Sequence, residues 1–596
     1  MNYLEQNLKA LRANDSETAL WVESADIPSE LIVADSKSGF PVPKVGNVSL
    51  HSAYHPEKEG VKLTQDYPVN WAGCVVVFGF GFGYHLEAID SSSCDIIVIE
   101  PSAGVLKAAF EARDLASLLS RIKIISPTKF ADLASSIDYT KALWIDHEPS
   151  AQLYKRDRDL LAEPFIVRVL AATRKYKAMV VGPVYGGSTT TAVSTARALT
   201  QLGFIVDFVD NTSHHAEALS INDVTPDEIN RAALKSGFNN YLGDRIVARA
   251  DHFKPDVIVV LAQSPLNPSA IDKLKVLNIP VVFWFVENYR LLPYWKLVAP
   301  HYDYFFGMQK GSFLDELVDA GASYAGYLPQ AADPFVHRPA ELSEAELEKY
   351  GSEVSFMGAG YSNRQKFFSG LLDTPLKIWG TEWNLSSPLG QRVMNANRRL
   401  NPSEYIKIFN ASAINLNLHS SNISEGVDHD GDFVNPRTFE IAACGAFQLV
   451  DMRSELAKMF IIGKEIATFQ SMDELREKID YYLKRPDERE AIAHAGWERV
   501  MREHTFVHRM ARMMSVVLPR EEERIENARD QRRGLNDVDY MIERTSNVEL
   551  KAFLKKFSGD GNISLKNVMD EISRGKGPLS RPEAIFVMVN QVLAQG

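Results

Sequence analysis

Short apolar runs alternate with amphipathic segments from Trp71 onward, which is the pattern of parallel strands buried by crossover helices. Four of the runs, CVVVFGF, CDIIVIE, RIKIIS and KALWID, predict the strands of a first α/β unit. The charged segment that follows, SAQLYKRDRDLLAEPFIVRVLAATRKYK, predicts a helical linker over residues 151–176. We therefore expect a Rossmann-like domain over residues 71–150, preceded by an N-terminal region of residues 1–70.

Two more sets of apolar runs predict two further α/β domains. The runs from AMVVGPVY to YAGYLPQ indicate a doubly wound domain over residues 177–335, and the runs from VSFMGAG to IATFQ indicate another over residues 350–520. The polar segment PAELSEAELEKYGSE between them is typical of a hinge. Two α/β units of this size joined by a hinge predict a ligand-binding cleft between them. The charged text of residues 521–596 predicts a helical tail.

Composition narrows the class of protein. A chain of 596 residues with 45% hydrophobic content is too long for one core and fits three or four domains. A net charge of -12 without a basic stripe argues against nucleic acid as the main partner. The three cysteines lack the spacing of a metal knuckle, and no apolar run approaches the roughly 20 residues of a membrane span. We expect a cytoplasmic protein, with self-association through the tail or the N-terminal domain left open.

The segment NPRTFEIAACG predicts a helix whose start can bind an anion. Asn435 is a suitable cap, and Pro436 is tolerated at the first helical position because its missing N–H would be unpaired there anyway. The amides of Arg437, Thr438 and Phe439 then point out of the helix start, beside the positive end of the helix dipole. Arg437 can add a bidentate contact. A diphosphate is an anion that such a start would hold.

Two carboxylates frame this helix start. Glu440 lies one turn into the helix, and Asp432 precedes the cap. Carboxylates accept hydrogen bonds from hydroxyls while amides hold the charge, so the pair suits a ligand with both hydroxyls and a diphosphate, such as a nucleotide sugar. The alternative is that Glu440 only stabilises its own helix, which is worth about 0.3 to 1 kcal/mol.

These motifs resemble those of known glycosyltransferases. DFVNPRTFEIAACGAFQLV resembles the donor-binding signature of GT-B enzymes: Asp432, Glu440 and Gly445 fall on its pattern, with Asp in place of the more usual first Glu. VSFMGAGYSNR, LKIWGTEW, INLNLH and HTFVHR resemble the C-terminal domain of CgeB-like (spore maturation protein) glycosyltransferases, and the preceding unit is similar to their N-terminal half. Together these likenesses cover residues 177–515.

The resemblance implies transfer of a sugar from a nucleotide donor between two Rossmann-like domains, with Glu440 taking the ribose hydroxyls. A UDP sugar is the default donor, and no metal ligands are predicted. Two rivals stay open: a methyltransferase centred on the first domain, and a sugar-binding or assembly protein without catalysis.

Several other residues are candidates for the donor side of the cleft. Gly186 and Gly187 stand between a strand and a helix, where a backbone without Cβ can approach a phosphate or sugar closely. Arg364 and Lys366 follow the glycine turn at Gly358, near where a leaving diphosphate needs positive charge. The alternatives are a plain turn for the glycines and solvated cations for the basic residues.

Glu287 and His419 are the candidates for catalysis. Glu287 ends the strand of VVFWFVEN, and the carboxyl ends of parallel strands line the crevice, so it could deprotonate an acceptor hydroxyl if burial raises its pKa. His419 ends INLNLH, and His214 and His215 are weaker candidates in a loop. The alternatives are an ion pair for the glutamate and packed, neutral rings for the histidines.

A second nucleotide site is conceivable in the first domain. Gly79, Gly81 and Gly83 follow a strand and precede a helix, and Glu100 ends the next strand, as in dinucleotide or S-adenosylmethionine sites. The leading interpretation is nevertheless a recognition or scaffolding unit. GFGFGYHLE and VIEPS resemble the N-terminal domain of motility accessory factors, which are flagellin-modifying glycosyltransferases. That resemblance implies a surface or flagellar protein, or a glycan, as acceptor.

Overall fold

The computed structural model describes residues 2–67, 69–89, 94–421, 425–429, 431–536, 538–559 and 563–594. Three domains, each built on a parallel sheet, follow one another along the chain, and helices form the tail. The predicted α/β class is confirmed, and the apolar runs named above form the strands.

The first domain contains an unpredicted antiparallel sheet and a four-stranded parallel sheet with the order β6-β5-β4-β7. Its strands are β1 (Leu31–Asp35), β2 (Pro41–Val45), β3 (Val48–Ser49), β4 (Cys74–Phe78), β5 (Asp95–Ile99), β6 (Lys123–Ile125) and β7 (Ala142–Asp146). Its helices are α1 (Tyr3–Asn14), α2 (Ser16–Glu23), α3 (Pro56–Asp66), α4 (Tyr84–Glu87), α5 (Ala103–Ala112), α6 (Ala116–Leu119), α7 (Phe130–Ala134), α8 (Glu148–Leu153) and the linker α9 (Lys155–Arg174). The N-terminal helices α1 and α2 pack on α5.

The middle domain has a six-stranded parallel sheet with the order β13-β12-β11-β10-β8-β9. Its strands are β8 (Lys177–Val181), β9 (Ile205–Val209), β10 (Val257–Leu261), β11 (Val281–Phe285), β12 (Tyr304–Gly307) and β13 (Ala325–Tyr327). Its helices are α10 (Ser188–Gln201), α11 (His215–Val224), α12 (Glu228–Phe253), α13 (Pro268–Val276), α14 (Trp295–Val298) and α15 (Ser312–Asp319). Every residue of β10 and β11 is buried, which explains their unbroken apolar sequences.

The third domain has a five-stranded parallel sheet with the order β15-β14-β16-β17-β18. Its strands are β14 (Ser352–Met357), β15 (Leu376–Trp379), β16 (Ser412–Asn417), β17 (Gln448–Asp451) and β18 (Ala467–Phe469). Its helices are α16 (Glu344–Tyr350), α17 (Ser362–Phe368), α18 (Pro402–Ala411), α19 (Pro436–Ala443), α20 (Leu456–Met459), α21 (Met472–Leu483) and α22 (Pro486–Glu503). The predicted hinge contains α16, which a capping box at Ser343 starts.

The long helix α23 (Phe506–Asn536) ties the third domain back to the middle one. Its first half lies in the core of the middle domain, and Arg529 bonds both carboxylate oxygens of Asp256 at 2.7 and 2.8 Å. The predicted tail boundary at residue 521 therefore falls inside this helix. The helices beyond it are α24 (Val538–Arg544), α25 (Val548–Leu554), α26 (Leu565–Arg574) and α27 (Arg581–Ala594).

The strand order reverses between β8 and β10 in the middle domain and between β14 and β16 in the third. Ligands of doubly wound sheets bind outside the carboxyl ends of the strands at such reversals. The loops that hold Gly186, Gly358 and His419 lie at these two points. The fold thus brings most of the predicted cleft residues to one region.

Candidate functional site

Direct contacts join the walls of the cleft. Arg290 and Gln309, at the carboxyl ends of β11 and β12, donate to the same Asp432 oxygen over 2.8 and 2.9 Å. On the other side, Arg399 donates to the Gly186 carbonyl over 2.9 Å. The middle and third domains therefore face each other across a closed gap, as the predicted GT-B architecture requires.

Asp432 holds the middle domain in this structure, which differs from the predicted contact with ligand hydroxyls. Burial raises the pKa of its carboxyl, but the hydrogen bonds from Arg290 and Gln309 outweigh that effect and hold the pKa below its usual range. The carboxylate is thus ionised and occupied at neutral pH. The sequence did not indicate Arg290 or Gln309 as partners of Asp432, because these contacts depend on how the two domains pack together.

We expect Arg290→Ala and Asp432→Asn each to weaken the binding of a nucleotide in the cleft by less than about tenfold if Asp432 serves only to hold the two domains together. The reason is that a partly exposed ion pair contributes about 0.2 to 1 kcal/mol. The double variant will be no weaker than either single variant. Calorimetry on the four proteins checks this result. A loss in Asp432→Asn that Arg290→Ala does not share would instead indicate direct contact with the ligand.

The start of α19 is capped as predicted, but it offers fewer amides than expected. The Asn435 side chain accepts the Thr438 N–H over 3.1 Å and the Thr438 hydroxyl over 3.2 Å. The Asn435 amide in turn donates to Asn417 over 2.8 Å within a buried polar network. The prediction of a free amide at Thr438 is therefore wrong, because the cap itself consumes it. Pro436 occupies the first helical position as predicted.

Glu440 lies at the edge of the cleft, and its side chain is 10% exposed. One carboxylate oxygen pairs with Arg437, and the other lies 3.7 Å from His337 Nε2. The Arg437 guanidinium also lies over the Tyr405 ring, 4.8 Å from its centroid. The predicted phosphate contact of Arg437 would need this side chain to turn, because it now packs back along its own helix.

A cavity of about 300 Å³ is lined in part by His337, the neighbour of Glu440. Both domains line it: Thr189 and Asp210 come from the middle domain, and His337 and Tyr405 come from the other side. Burial lowers the pKa of His337, so its ring is neutral, and Nε2 lies 3.0 Å from the Tyr405 hydroxyl. Hydroxyl and carboxylate groups thus surround a space that both halves of the molecule enclose. Sequence reasoning did not single out His337 or Tyr405.

Arg364 supplies positive charge at the reversal between β14 and β16. Its guanidinium donates to the carbonyls of Leu418 and Ala359 over 2.9 and 3.0 Å. No carboxylate of the described residues forms an ion pair with it. Burial lowers its pKa to about 10, so it stays charged at neutral pH and can attract an anion. A Cβ at Gly358 would lie 3.0 Å from Phe356 Cζ and 3.2 Å from Arg364 Nη1, so a side chain there would displace one of them.

Two predicted residues do not fit a role in the cleft. Lys366 pairs with Glu425 on the exposed surface, where both side chains are more than half exposed. His419 is fully buried: its Nδ1 lies 2.6 Å from Asp451, and its Nε2 accepts the Asn435 N–H over 2.9 Å. Both ring nitrogens are thus engaged in hydrogen bonds, and His419 positions the cap of α19. The predicted catalytic role of His419 is therefore wrong.

Glu287 has the surroundings that a general base needs. It follows β11, is half-buried, and accepts the Ser188 hydroxyl over 3.1 Å. Burial raises the pKa of its carboxyl. In the third domain, burial raises the pKa of Tyr361, and the charge of Glu287 adds to that rise.

The glycine turn beside Glu287 has the predicted shape. Gly186 has a φ of 115°, and a Cβ there would lie 2.5 Å from Gln263 Oε1. Open space surrounds the Cβ position of Gly187, so this residue needs no glycine for lack of room. His215 stacks on Tyr185 of the same turn, and His214 lies beside Glu217 on the surface.

The first domain uses Glu100 for itself. The carboxylate is fully buried and accepts the N–H groups of Phe80 and Ser102 over 2.7 and 2.9 Å. Burial raises its pKa to about 7. Backbone N–H groups of the protein thus use the carboxylate that was predicted to accept hydrogen bonds from ribose hydroxyls.

The three glycines of that turn have the predicted backbone, but no ligand space adjoins two of them. Gly79, Gly81 and Gly83 have φ values of 96°, 52° and 81°. A Cβ at Gly79 would lie 2.3 Å from the Ser150 Cβ, and one at Gly81 would lie 2.6 Å from His51 Nε2. The structure therefore contradicts the predicted second nucleotide site, because the protein's own side chains fill its cradle.

We expect no binding of S-adenosylmethionine to the full chain, because ligand entry would have to displace both Glu100 and the buried histidine. Isothermal titration should give heats equal to dilution for the wild type and for Glu100→Ala alike. Tight binding that is lost in Glu100→Ala would instead restore the methyltransferase alternative.

Comparison with known proteins gives the class of the third domain. Residues 364–515 match the family described as "Glycosyl transferase-like". This match runs from within α17 to the first part of α23 and includes the start of α19. Most of the third domain is therefore similar in sequence to this family.

A particular relative extends the likeness. The chain is 24% identical over 290 residues to the spore protein CgeB of Bacillus subtilis (strain 168), across 45% of this chain and 85% of CgeB. The predicted resemblance to CgeB-like glycosyltransferases is confirmed. The resemblance of the first domain to motility accessory factors stays a prediction.

Solved structures with a similar course of the chain have low identity. Sucrose-phosphate synthase from Thermosynechococcus elongatus is 13% identical, with a TM-score of 0.40 over 58% of this chain and 99% of that chain. A glycosyltransferase from Rickettsia africae ESF-5 is 12% identical, with a TM-score of 0.41 over 58% and 98%. Anabaena HepE, solved with UDP and glucose, is 12% identical, with a TM-score of 0.38 over 60% and 96%. Separately, no helix in the described ranges is long and apolar enough to cross a membrane.

Proposed function

We propose that the chain is a Leloir-type glycosyltransferase that moves a sugar from a nucleotide donor to a protein or glycan acceptor. The observation that carries the proposal is the position of the glycosyl transferase-like match. It covers the start of α19, Glu440 and Arg364, which lie across the cleft from Glu287. This supports a donor bound by the third domain and an acceptor base supplied by the middle domain.

In the proposed complex, the donor diphosphate lies between the start of α19 and Arg364. The helix dipole and the guanidinium stabilise the negative charge that grows as the diphosphate leaves, and this step uses no metal. Glu440 accepts the ribose hydroxyls once it exchanges its contact with Arg437 for the ligand. Closure of the cleft excludes water and so limits hydrolysis of the donor.

The acceptor enters from the middle domain. The Glu287 carboxylate takes the proton of an acceptor hydroxyl, the hydroxyl oxygen bonds to the anomeric carbon, and the bond from that carbon to the diphosphate oxygen breaks. The diphosphate leaves with its negative charge. A surface or flagellar protein, or a glycan, modified in the cytoplasm is the acceptor class that we propose.

The contacts of Asp432 and Glu440 with arginines also fit a second candidate, a sugar-binding protein without catalysis. In that case both carboxylates stay engaged and the cleft only recognises its ligand. A turnover assay separates the two functions. A thermal-shift panel of UDP, GDP, CDP and dTDP selects the nucleotide, since a ligand at 100 times its Kd adds about 2.7 kcal/mol of stability.

The matching nucleotide sugars are then tested for release of the nucleoside diphosphate, starting with UDP sugars. The proposal expects one nucleotide to raise the Tm and its sugars to turn over. Stabilisation without turnover, even with candidate acceptors present, favours the sugar-binding function. A panel in which no nucleotide stabilises the chain contradicts both functions.

A further inference from the structure

Three buried histidines meet around the glycine turn of the first domain. His51 follows β3, His85 lies in α4, and His147 precedes α8. One ring nitrogen from each lies within 4.8 Å of the other two. The reversal of strand order between β4 and β7 brings the segments of His85 and His147 together, and His51 reaches them from the separate antiparallel sheet.

A histidine binds a metal ion through the lone pair of one ring nitrogen. The hydrogen bonds of each ring decide which of its two nitrogens carries that lone pair.

The hydrogen bonds around His85 leave the lone pair of one ring nitrogen without a donor. His85 Nε2 lies 3.0 Å from the Gly79 carbonyl, which can only accept, so Nε2 carries the proton and Nδ1 carries the lone pair. Nδ1 is buried and has no hydrogen-bond partner among the described residues. An unpaired buried polar atom is destabilising, so this nitrogen requires a physical explanation.

His51 is held by a carboxylate, as metal-binding histidines commonly are. Its Nδ1 lies 3.0 Å from Glu59 Oε2, so Nδ1 carries the proton and Nε2 offers its lone pair. In this structure Nε2 accepts the Phe82 N–H over 2.8 Å. His147 Nδ1 similarly lies 2.8 Å from the Ser150 hydroxyl. These neutral hydrogen bonds are weaker than a metal–nitrogen bond and can be exchanged for one.

We propose that His51, His85 and His147 bind one zinc-type divalent cation in the first domain. Zinc–nitrogen bonds are about 2.0 to 2.1 Å long, and the ion lies in the plane of each imidazole ring. The His85 and His147 rings are stacked here, with 4.2 Å between their centroids and 8° between their planes, so one of them turns out of the stack when both bind the same ion. Water completes the shell. The ion joins the N-terminal region to the glycine turn and to the loop after β7. It lies outside the cleft between the other two domains, so its part is to stabilise the first domain, and the sugar-transfer step does not use it.

The test uses the full chain without a histidine tag. The protein is loaded with Zn²⁺, desalted into metal-free buffer and analysed for metal content and Tm with and without EDTA. We expect one zinc per chain and a Tm that falls when EDTA removes it. His85→Phe should retain no zinc and should show no change of Tm on addition of EDTA. His494→Ala, which removes an exposed histidine, should bind one zinc and respond to EDTA as the wild type does.

X-ray absorption at the zinc edge of the wild-type protein provides a readout that does not depend on whether His85→Phe folds. The expected first shell contains three imidazole nitrogens. A shell with fewer imidazoles, a chain that retains no zinc, or zinc retained in full by His85→Phe would overturn the proposal. In those cases the three neutral rings only pack against the glycine turn and bind no metal.

Discussion

Glu440→Gln is expected to weaken binding of the nucleotide by about 10- to 100-fold. A hydrogen bond to a charged group contributes about 1.5 to 3 kcal/mol, and each 1.4 kcal/mol is a factor of ten in affinity. The neutral amide keeps the size of the side chain but loses the charge that strengthens bonds from ribose hydroxyls. Isothermal titration with the nucleotide chosen by the thermal-shift panel measures the change.

The fold should survive this substitution. The amide keeps the size of the side chain and can still accept a hydrogen bond from Arg437, its neighbour on the same helix. Glu490→Gln is the matched control, because Glu490 lies on the exposed face of α22 in the same domain. Unchanged affinity in Glu440→Gln, with a Tm equal to that of the control, would mean that Glu440 only stabilises its own helix.

Glu287→Gln is expected to lower the rate of sugar transfer by about 10²- to 10⁴-fold, which is the usual contribution of a general base. Nucleotide affinity should be unchanged, because Glu287 belongs to the acceptor side. Glu228→Gln, a change at a side chain 91% exposed on the same domain, serves as control and should transfer at the wild-type rate.

The pH profile gives a second readout for Glu287. A base must be ionised to act, and burial raises the pKa of this carboxyl. The wild-type rate should therefore fall as pH drops through that raised pKa, at a higher pH than for an exposed glutamate, and Glu287→Gln should lack this limb. A variant that transfers at more than a tenth of the wild-type rate with the same pH profile would remove Glu287 from the mechanism.

The sequence predicted the three sheets well because strands buried on both faces leave an unbroken apolar pattern. The cap at Asn435 and the glycine turn at Gly79 were also predictable, since local backbone needs determine both. Neither kind of signal reports which groups meet across a long stretch of chain. The contact between Arg290 and Asp432 joins two domains, and no periodicity encodes it.

Burial caused the errors about individual side chains. His419 and Glu100 end strands, as predicted, but each turns inward to satisfy backbone N–H groups and so is not available to a ligand. Buried amides need partners, and a strand-end side chain is a convenient acceptor. The sequence did not predict the histidine cluster, because His51 comes from the N-terminal region. No motif in the sequence indicates that this region packs on the glycine turn.

The central claim is that a nucleotide sugar binds between the middle and third domains, with its diphosphate at the start of α19. A crystal structure of the chain with the selected nucleoside diphosphate tests it most directly. The account predicts the diphosphate beside Arg437 and Arg364 and the ribose hydroxyls on Glu440. A nucleotide bound outside this cleft, or one whose ribose lies away from Glu440, would contradict it.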